Sequence, residues 1–350
     1  MMNRSASKLR LLLSFSLFFG LFVSVATADQ SGLRIPEQVT GDRAWDHVEY
    51  LSEVIGARPT ETDQEAMAQD YITKQFEALG YDVEIQEFSF QPWWSDESFM
   101  SANIIATNPG KIDQTLIIGA HYDSEFEDIC DDGNVLTGAG DNASGIGVML
   151  EVAEVLAGYK THGTIKFVAF GAEEWGLWGS FYYADQMSET EIENTAAMIN
   201  LDSVGVGDHF NVYAGIDNPG WARDLALRIG QRMGHDLRTS PGEPSCDFLA
   251  WGEAGDWSDH VAFRYLGIPI AYFEMMNWEI EPCEGEETEE YGWVMHTCMD
   301  NLSMVSHEKL EMTAEVVAAL AFQISKTKLP KSEKGKVAKG NKFIAIQKRY

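Results

Sequence analysis

Glu173 and Glu174 stand side by side at the end of the apolar run 167–172. Two such acids repel one another unless something cationic offsets them, which makes the pair the most specific chemical signal in the chain. Adjacent side chains at a strand end diverge, so Glu174 can bind a metal ion while Glu173 reaches a water held there as a general base. His121 and Asp123 lie two apart in an extended stretch and project to one side, which lets Asp123 accept the second imidazole N–H of a metal-binding His121. Asp141 sits in the small-residue turn Gly138-Ala139-Gly140-Asp141-Asn142-Ala143-Ser144-Gly145, whose glycines admit close backbone approach to an ion. Asp202 ends the run Ile199-Asn200-Leu201, and His296 stands in Met295-His296-Thr297-Cys298. Imidazole and carboxylate are the donors zinc takes at a hydrolytic site, where it lowers the pKa of its water towards ~7; two ions ~3.5–4 Å apart can share that water. Taken singly, several of these residues have plainer readings: Asp141 as a helix cap, His121 as a surface histidine beside an acid, Asp202 as a capping acid, His296 as a core histidine.

What positions these residues is legible from periodicity. Apolar, β-branched runs at 103–107, 115–120, 164–170, 196–201 and 268–273 read as strands, and 83–90 alternates with period two as a half-buried one. Helical spacing predicts helices over 64–79, 143–157, 178–187, 219–233 and 308–324. Strands alternating with helices indicate an α/β fold with a mostly parallel sheet covered on both faces, and such sheets gather their chemistry at the carboxyl ends of the strands. His121, Glu173, Glu174 and Asp202 all follow directly on predicted strands. Ser258-Asp259-His260 is not a nucleophilic triad, since three consecutive residues cannot converge and no GxSxG elbow is present. Asp259 and His260 are read as groups behind the ligands or lining a pocket, or as core and turn residues.

Three regions divide the chain of 350 residues. Residues 1–28 have the form of a secretory signal: basic Arg4, Lys8 and Arg10, an apolar stretch, and the small-residue site Ala26-Thr27-Ala28. Residues 29–325 form one catalytic domain carrying 13 basic against 54 acidic residues, a balance that disfavours nucleic acid and anionic membranes. Residues 326–350 are a basic tail. An exported, secreted or periplasmic protein follows, with no stable membrane insertion after signal cleavage. In that oxidising setting Cys130, Cys246, Cys283 and Cys298 are expected to form disulfides, and Cys283 with Cys298 is the favoured pair, stapling the acidic loop between them.

Taken in order, Gly119-Ala120-His121-Tyr122-Asp123, Gly140-Asp141-Asn142-Ala143-Ser144-Gly145, Ala172-Glu173-Glu174-Trp175-Gly176, Asn200-Leu201-Asp202, Ser258-Asp259-His260 with Gly267-Ile268-Pro269, and His296-Thr297 with Asp300-Asn301 make the chain resemble the M28 family of zinc peptidases, bacterial leucyl aminopeptidases and their relatives. The likeness runs over about 102–324. It implies two zinc ions per chain, with His121 and Asp202 on one, Glu174 and His296 on the other, Asp141 bridging and Glu173 as base. It also implies a mixed sheet of about eight strands sandwiched by helices. Two features depart from the family: the loop 124–140 is longer than in compact members, and Met295 stands where some members carry a tyrosine, leaving Tyr291 or Tyr272 to stabilise the oxyanion.

The expected activity is hydrolysis of the N-terminal peptide bond of peptides, the acidic site suiting a free α-ammonium group. A carboxypeptidase would need a cationic anchor, for which Arg58, Arg223 and Arg264 are available. A glutaminyl cyclase-like acyltransferase would use a single zinc, and a binding module on this fold would show broken ligands. Phe248, Trp251, Trp257 and Trp278 line an apolar pocket or pack in the core.

Overall fold

A computed structural model describes residues 35–328 apart from 127–129, 131–132, 243–249 and 281–284. The leader, nearly all of the basic tail, Cys246, Phe248 and Cys283 lie outside the described residues. In chain order the elements are α1 (Asp42–Glu49), α2 (Asp63–Ala78), β1 (Asp82–Phe90), β2 (Phe99–Asn108), β3 (Thr115–His121), α3 (Ser144–Ala157), β4 (Thr164–Phe170), α4 (Trp178–Gln186), α5 (Glu189–Asn194), β5 (Thr195–Leu201), β6 (Phe210–Gly215), α6 (Trp221–Met233), β7 (Leu237–Arg238), β8 (Glu253–Ala254), α7 (His260–Arg264), β9 (Ile270–Met275) and α8 (His307–Lys326).

Among the described residues the sheet has nine strands, in the order β1-β2-β4-β3-β5-β9-β6-β7, with β8 beside β6. Its centre is parallel, β4 and β5 flanking β3 and β9 flanking β5, while β1-β2, β2-β4 and β6-β9 pair antiparallel. The mixed, mostly parallel α/β architecture is therefore the one the sequence implies. Side chains of the central strands alternate between two separate apolar clusters: Leu116, Ile118 and Ala120 of β3 enter one and Ile117 the other, as Ile199 and Leu201 of β5 oppose Met198. Both faces are buried, which is why these strands read as continuous apolar runs. Helices α1, α2, α3, α6 and α8 cover the first cluster; α4 and α7 cover the second.

Helix α2 starts where Thr62 Oγ1 accepts from the Glu65 amide at 3.1 Å, and it buries Ala68, Ile72 and Phe76. At the N-terminus of α1, Glu151 of α3 accepts the amides of Thr40 (2.8 Å), Gly41 (3.2 Å) and Ala44 (3.0 Å). A carboxylate there satisfies amides that have no partner within their own helix and meets the positive end of the helix dipole. Among the described residues, no helix is long and apolar enough to cross a membrane.

The expected pairing of Cys283 with Cys298 is corrected by the structure. Cys130 and Cys298 form the disulfide, their Cα atoms 5.6 Å apart across a sequence separation of 168. The reason is spatial: the Thr137 amide donates to the Asp300 carbonyl at 2.9 Å, which lays the loop after β3 beside the segment of Cys298. Nearness along the chain was a poor guide. Since closing so long a loop restricts the unfolded chain, Cys130→Ser is expected to lower the free energy of unfolding by about 2–4 kcal/mol, read from denaturant midpoints of the oxidised protein.

Candidate metal centre

The register of β3 brings His121 opposite Phe170 of β4, and Leu201 of β5 pairs with Phe273 of β9. The carboxyl ends of β3, β4 and β5 thus lie side by side, where the strand order departs on both sides of β3. His121 ends β3, Glu173 and Glu174 follow β4 through a turn with Ala172 at φ +54°, and Asp202 follows β5. Asp141 comes from the turn before α3, across a cis peptide to Asn142. His296 comes from the long segment between β9 and α8.

Asp141 lies between the two histidines. His121 Nε2 is 3.1 Å from its Oδ1 and His296 Nε2 is 3.0 Å from its Oδ2. Each histidine also faces a second acid through the same nitrogen: His121 lies 3.3 Å from Asp202 Oδ1, and His296 3.1 Å from Glu174 Oε2. Glu173 joins His121 and Asp202 in one group whose ligand atoms lie within 4.8 Å of one another; His121, Asp141 and Glu174 form a second. A third consists of Glu125, Glu174 and His296. The seven residues singled out by sequence are therefore brought to one place. All but Glu174 and His296 are buried, and the His296 side chain is 49% exposed, which marks the open side.

Asp123 is fully buried behind this group. Its carboxylate accepts the amides of Glu173 (3.1 Å) and Glu174 (3.2 Å) and the Thr60 hydroxyl (3.3 Å), and Oδ1 lies 3.6 Å from His121 Nδ1. It holds the diacid turn and stands beside the imidazole. Asp300 holds the turn of Asp141, accepting the amides of Gly140 (2.6 Å) and Asp141 (3.2 Å). Ser258 donates to Asp202 Oδ2 at 2.7 Å. Asn142 accepts the amides of Gly145 (2.9 Å) and Ser203 (3.3 Å); a Cβ at Gly145 would meet the Leu201 carbonyl oxygen at 2.5 Å, so a side chain there would force the backbone apart. Glu287 braces the segment before His296, its Oε2 accepting the amides of Val294 and Met295 at 2.6 Å each. Of these supports, Asp300, Asn142 and Ser258 fall within motifs quoted above, but Thr60 and Glu287 carry no sequence signal.

The electrostatics of the centre are those of a cation site. Burial would lower the His121 pKa, yet Glu173, Asp202 and the other acids raise it well above its ordinary value; hydrogen bonds to Asp141 and Glu174 push His296 up to about 12. Asp141 is held far below the usual carboxylate range, since the two imidazolium partners overcome its burial. Burial and neighbouring acids raise Glu173 well above its ordinary value and Glu174 to about 8. Glu174 Oε1 is buried without a hydrogen-bond partner. The donor set of imidazole nitrogen and carboxylate oxygen, closely grouped and largely buried, is that of zinc.

Other candidates are placed elsewhere. His260 Nε2 lies 3.0 Å from the Gly255 carbonyl, and its ring stacks on Tyr272 at 4.6 Å; burial lowers its pKa to about 3. The Tyr272 hydroxyl donates to Glu274 at 2.8 Å, and Tyr291 is exposed. Arg58 is fully buried and donates to the carbonyls of Tyr122, Leu51, Gly56, Thr137 and Gly138. Arg223 is held by Asp224 and the Gly252 carbonyl, and Arg264 by Asp256. None of the three is a free anchor for a substrate carboxylate.

Behind the centre, Glu65 Oε1 accepts from Ser101 at 2.6 Å and lies 3.5 Å from the Tyr122 hydroxyl. Burial raises its pKa from 4.5 to about 7. The folded chain then binds more protons than the unfolded one between those values, so this contribution is complete below pH 4.5 and is lost as pH rises through about 7. Glu65→Gln is expected to remove on the order of 3 kcal/mol of pH dependence across that window, read from urea midpoints at low and neutral pH.

A mixed α/β sheet with buried acids and His121 at the carboxyl ends of its central strands, met there by His296 from the segment before α8, is the arrangement of a hydrolytic metal centre of the exopeptidase kind. The model of peptidase family M28 matches residues 103–321, and the chain belongs to that family. The alkaline phosphatase isozyme conversion protein of Escherichia coli K12 is 33% identical over 262 residues, covering 70% of this chain and 75% of that protein. Aminopeptidase YwaD of Bacillus subtilis 168 is 34% identical over 225 residues, 62% of this chain and 43% of that protein. Among solved structures, the fold is shared with the zinc aminopeptidase BSAP of Bacillus subtilis (TM-score 0.65, 20% identity, 83% of this chain and 96% of that chain). It is shared also with the glutaminyl cyclase of Porphyromonas gingivalis (TM-score 0.64, 21% identity, 82% and 99%).

Proposed function

We propose that this peptidase is an exported zinc aminopeptidase with two ions per chain, which would be held by His121 and Asp202, by Glu174 and His296, and by Asp141 between them. The observation that carries the reading is Asp141, whose two oxygens each face a different histidine, each histidine facing a further acid. Zinc in such a centre supplies a polarised scissile carbonyl and a water acidic enough to deprotonate near neutrality. Glu173 would take a proton from the attacking water and return it to the leaving amine. Asp123 fixes the His121 imidazole and the Glu173–Glu174 turn in the geometry this needs. The substrate's α-ammonium group is met by an excess of carboxylate, to which Glu125 adds at the rim. Engagement of Arg58, Arg223 and Arg264 elsewhere disfavours the carboxypeptidase alternative. The signal-like residues 1–28 and the Cys130–Cys298 disulfide support export.

Zinc per purified chain, measured with hydrolysis of leucine p-nitroanilide before and after chelation, tests the reading. Two zincs and release that stops on chelation and returns on zinc addition are expected. A single zinc, no release and cyclisation of an N-terminal glutamine would instead establish the cyclase chemistry of the structural neighbours.

A further inference from the structure

Three large apolar side chains stand exposed close to the centre: Trp93 at 66%, Trp94 at 50% and Phe126 at 56%. Two of them converge on Trp175, the residue after Glu174. The Trp94 and Phe126 rings lie 6.1 and 6.4 Å from that of Trp175, and Trp93 packs edge-on to Trp94 at 5.7 Å. Trp175 is seated from below by the cross-strand pair Phe90 and Phe99, 6.1 and 5.0 Å away. The result is an aromatic cleft with Trp175 as its floor and Trp94 and Phe126 at its edges. Single exposed apolar residues are commonplace, but a contiguous group marks a binding surface.

We propose that this cleft takes an aromatic or large apolar side chain of the peptide substrate, downstream of the bond that is cut; the proposal rests on the aminopeptidase reading. Trp175 follows Glu174 directly, and Phe126 follows Glu125, whose carboxylate groups with Glu174 and His296. Floor and edge are thus each one residue from the acids of the centre. An N-terminal residue bound at the buried acids leaves the rest of its peptide only the open side to follow, past His296 and these rings. Rings stack or meet edge to face with gain beyond area alone, which favours Phe, Tyr or Trp over aliphatic residues. The charge of −30 disfavours an anionic membrane as the occupant.

The test is calorimetric binding of Leu-Phe-Phe-Lys and Leu-Gly-Gly-Lys to zinc-loaded protein carrying Glu173→Gln, so that peptides bind uncut. The aromatic peptide is expected to bind about tenfold tighter, the gain of stacking in one cleft. Adding Trp94→Ala or Phe126→Ala should bring the ratio to within about twofold, whereas Met100→Ala, which removes an exposed side chain from the opposite face of β2, should keep it. Near-ultraviolet circular dichroism confirms that each variant is folded. Equal affinities, or a preference surviving both cleft substitutions, overturn the proposal. So does sedimentation with phosphatidylcholine vesicles, or a concentration-dependent doubling of mass, that Trp94→Ala abolishes, because the cleft then serves a membrane or a second copy. Hydrolysis of leucine p-nitroanilide by the unsubstituted chain separates the two readings: release without aromatic preference defeats the cleft alone, and aromatic preference without release defeats the aminopeptidase alone.

Discussion

Glu173→Gln is expected to remove turnover and leave the zinc content unchanged. Glu173 is 8% exposed, and its ligand atom groups with those of His121 and Asp202. Burial and the neighbouring acids raise its pKa in the metal-free chain, and adjacent cations would draw that value back towards the working range. Glutamine keeps the shape and loses the ability to carry a proton, so kcat should fall by at least the ~10²–10⁴ that a positioned acid–base group contributes. The proposed ligands are other side chains, so metal analysis should give the same number per chain. A variant keeping more than about a tenth of its rate would assign the proton transfer to another group.

Asp141→Asn strikes the metal count itself. Only a carboxylate offers two anionic oxygens, and here one faces each histidine at 3.1 and 3.0 Å. The amide keeps one acceptor and turns a donor towards the other ion. Zinc is expected to fall from two ions to at most one per chain after dialysis, with activity down by more than the ~10–100-fold that loss of an outer partner costs. Retention of both ions with most of the activity would remove Asp141 from its bridging place.

The central strands were readable because burial on both faces writes continuous apolar runs, and the acids and His121 follow them directly. β6 is equally buried, yet its six residues between glycine-rich turns carry neither alternation nor length. α1 carries Ala44 and Val48 at helical spacing, but its eight residues fall short of the window over which periodicity decides. The ligand candidates could be named from their motifs, but their mutual distances could not, and neither could supports such as Thr60 and Glu287 that reach the centre through backbone amides or across the fold. The contact that pairs Cys130 with Cys298 is likewise made by folding, not by proximity in the chain.

That disulfide closes a covalent ring from Cys130 to Cys298, and Asp141, Glu173, Glu174, Asp202 and His296 all belong to it. Cleavage of any one peptide bond inside the ring leaves the two pieces joined as one molecule, still carrying five of the seven site residues within the ring. A nick that would scatter the centre of an open chain becomes, under oxidising conditions, a wound the molecule survives in one piece.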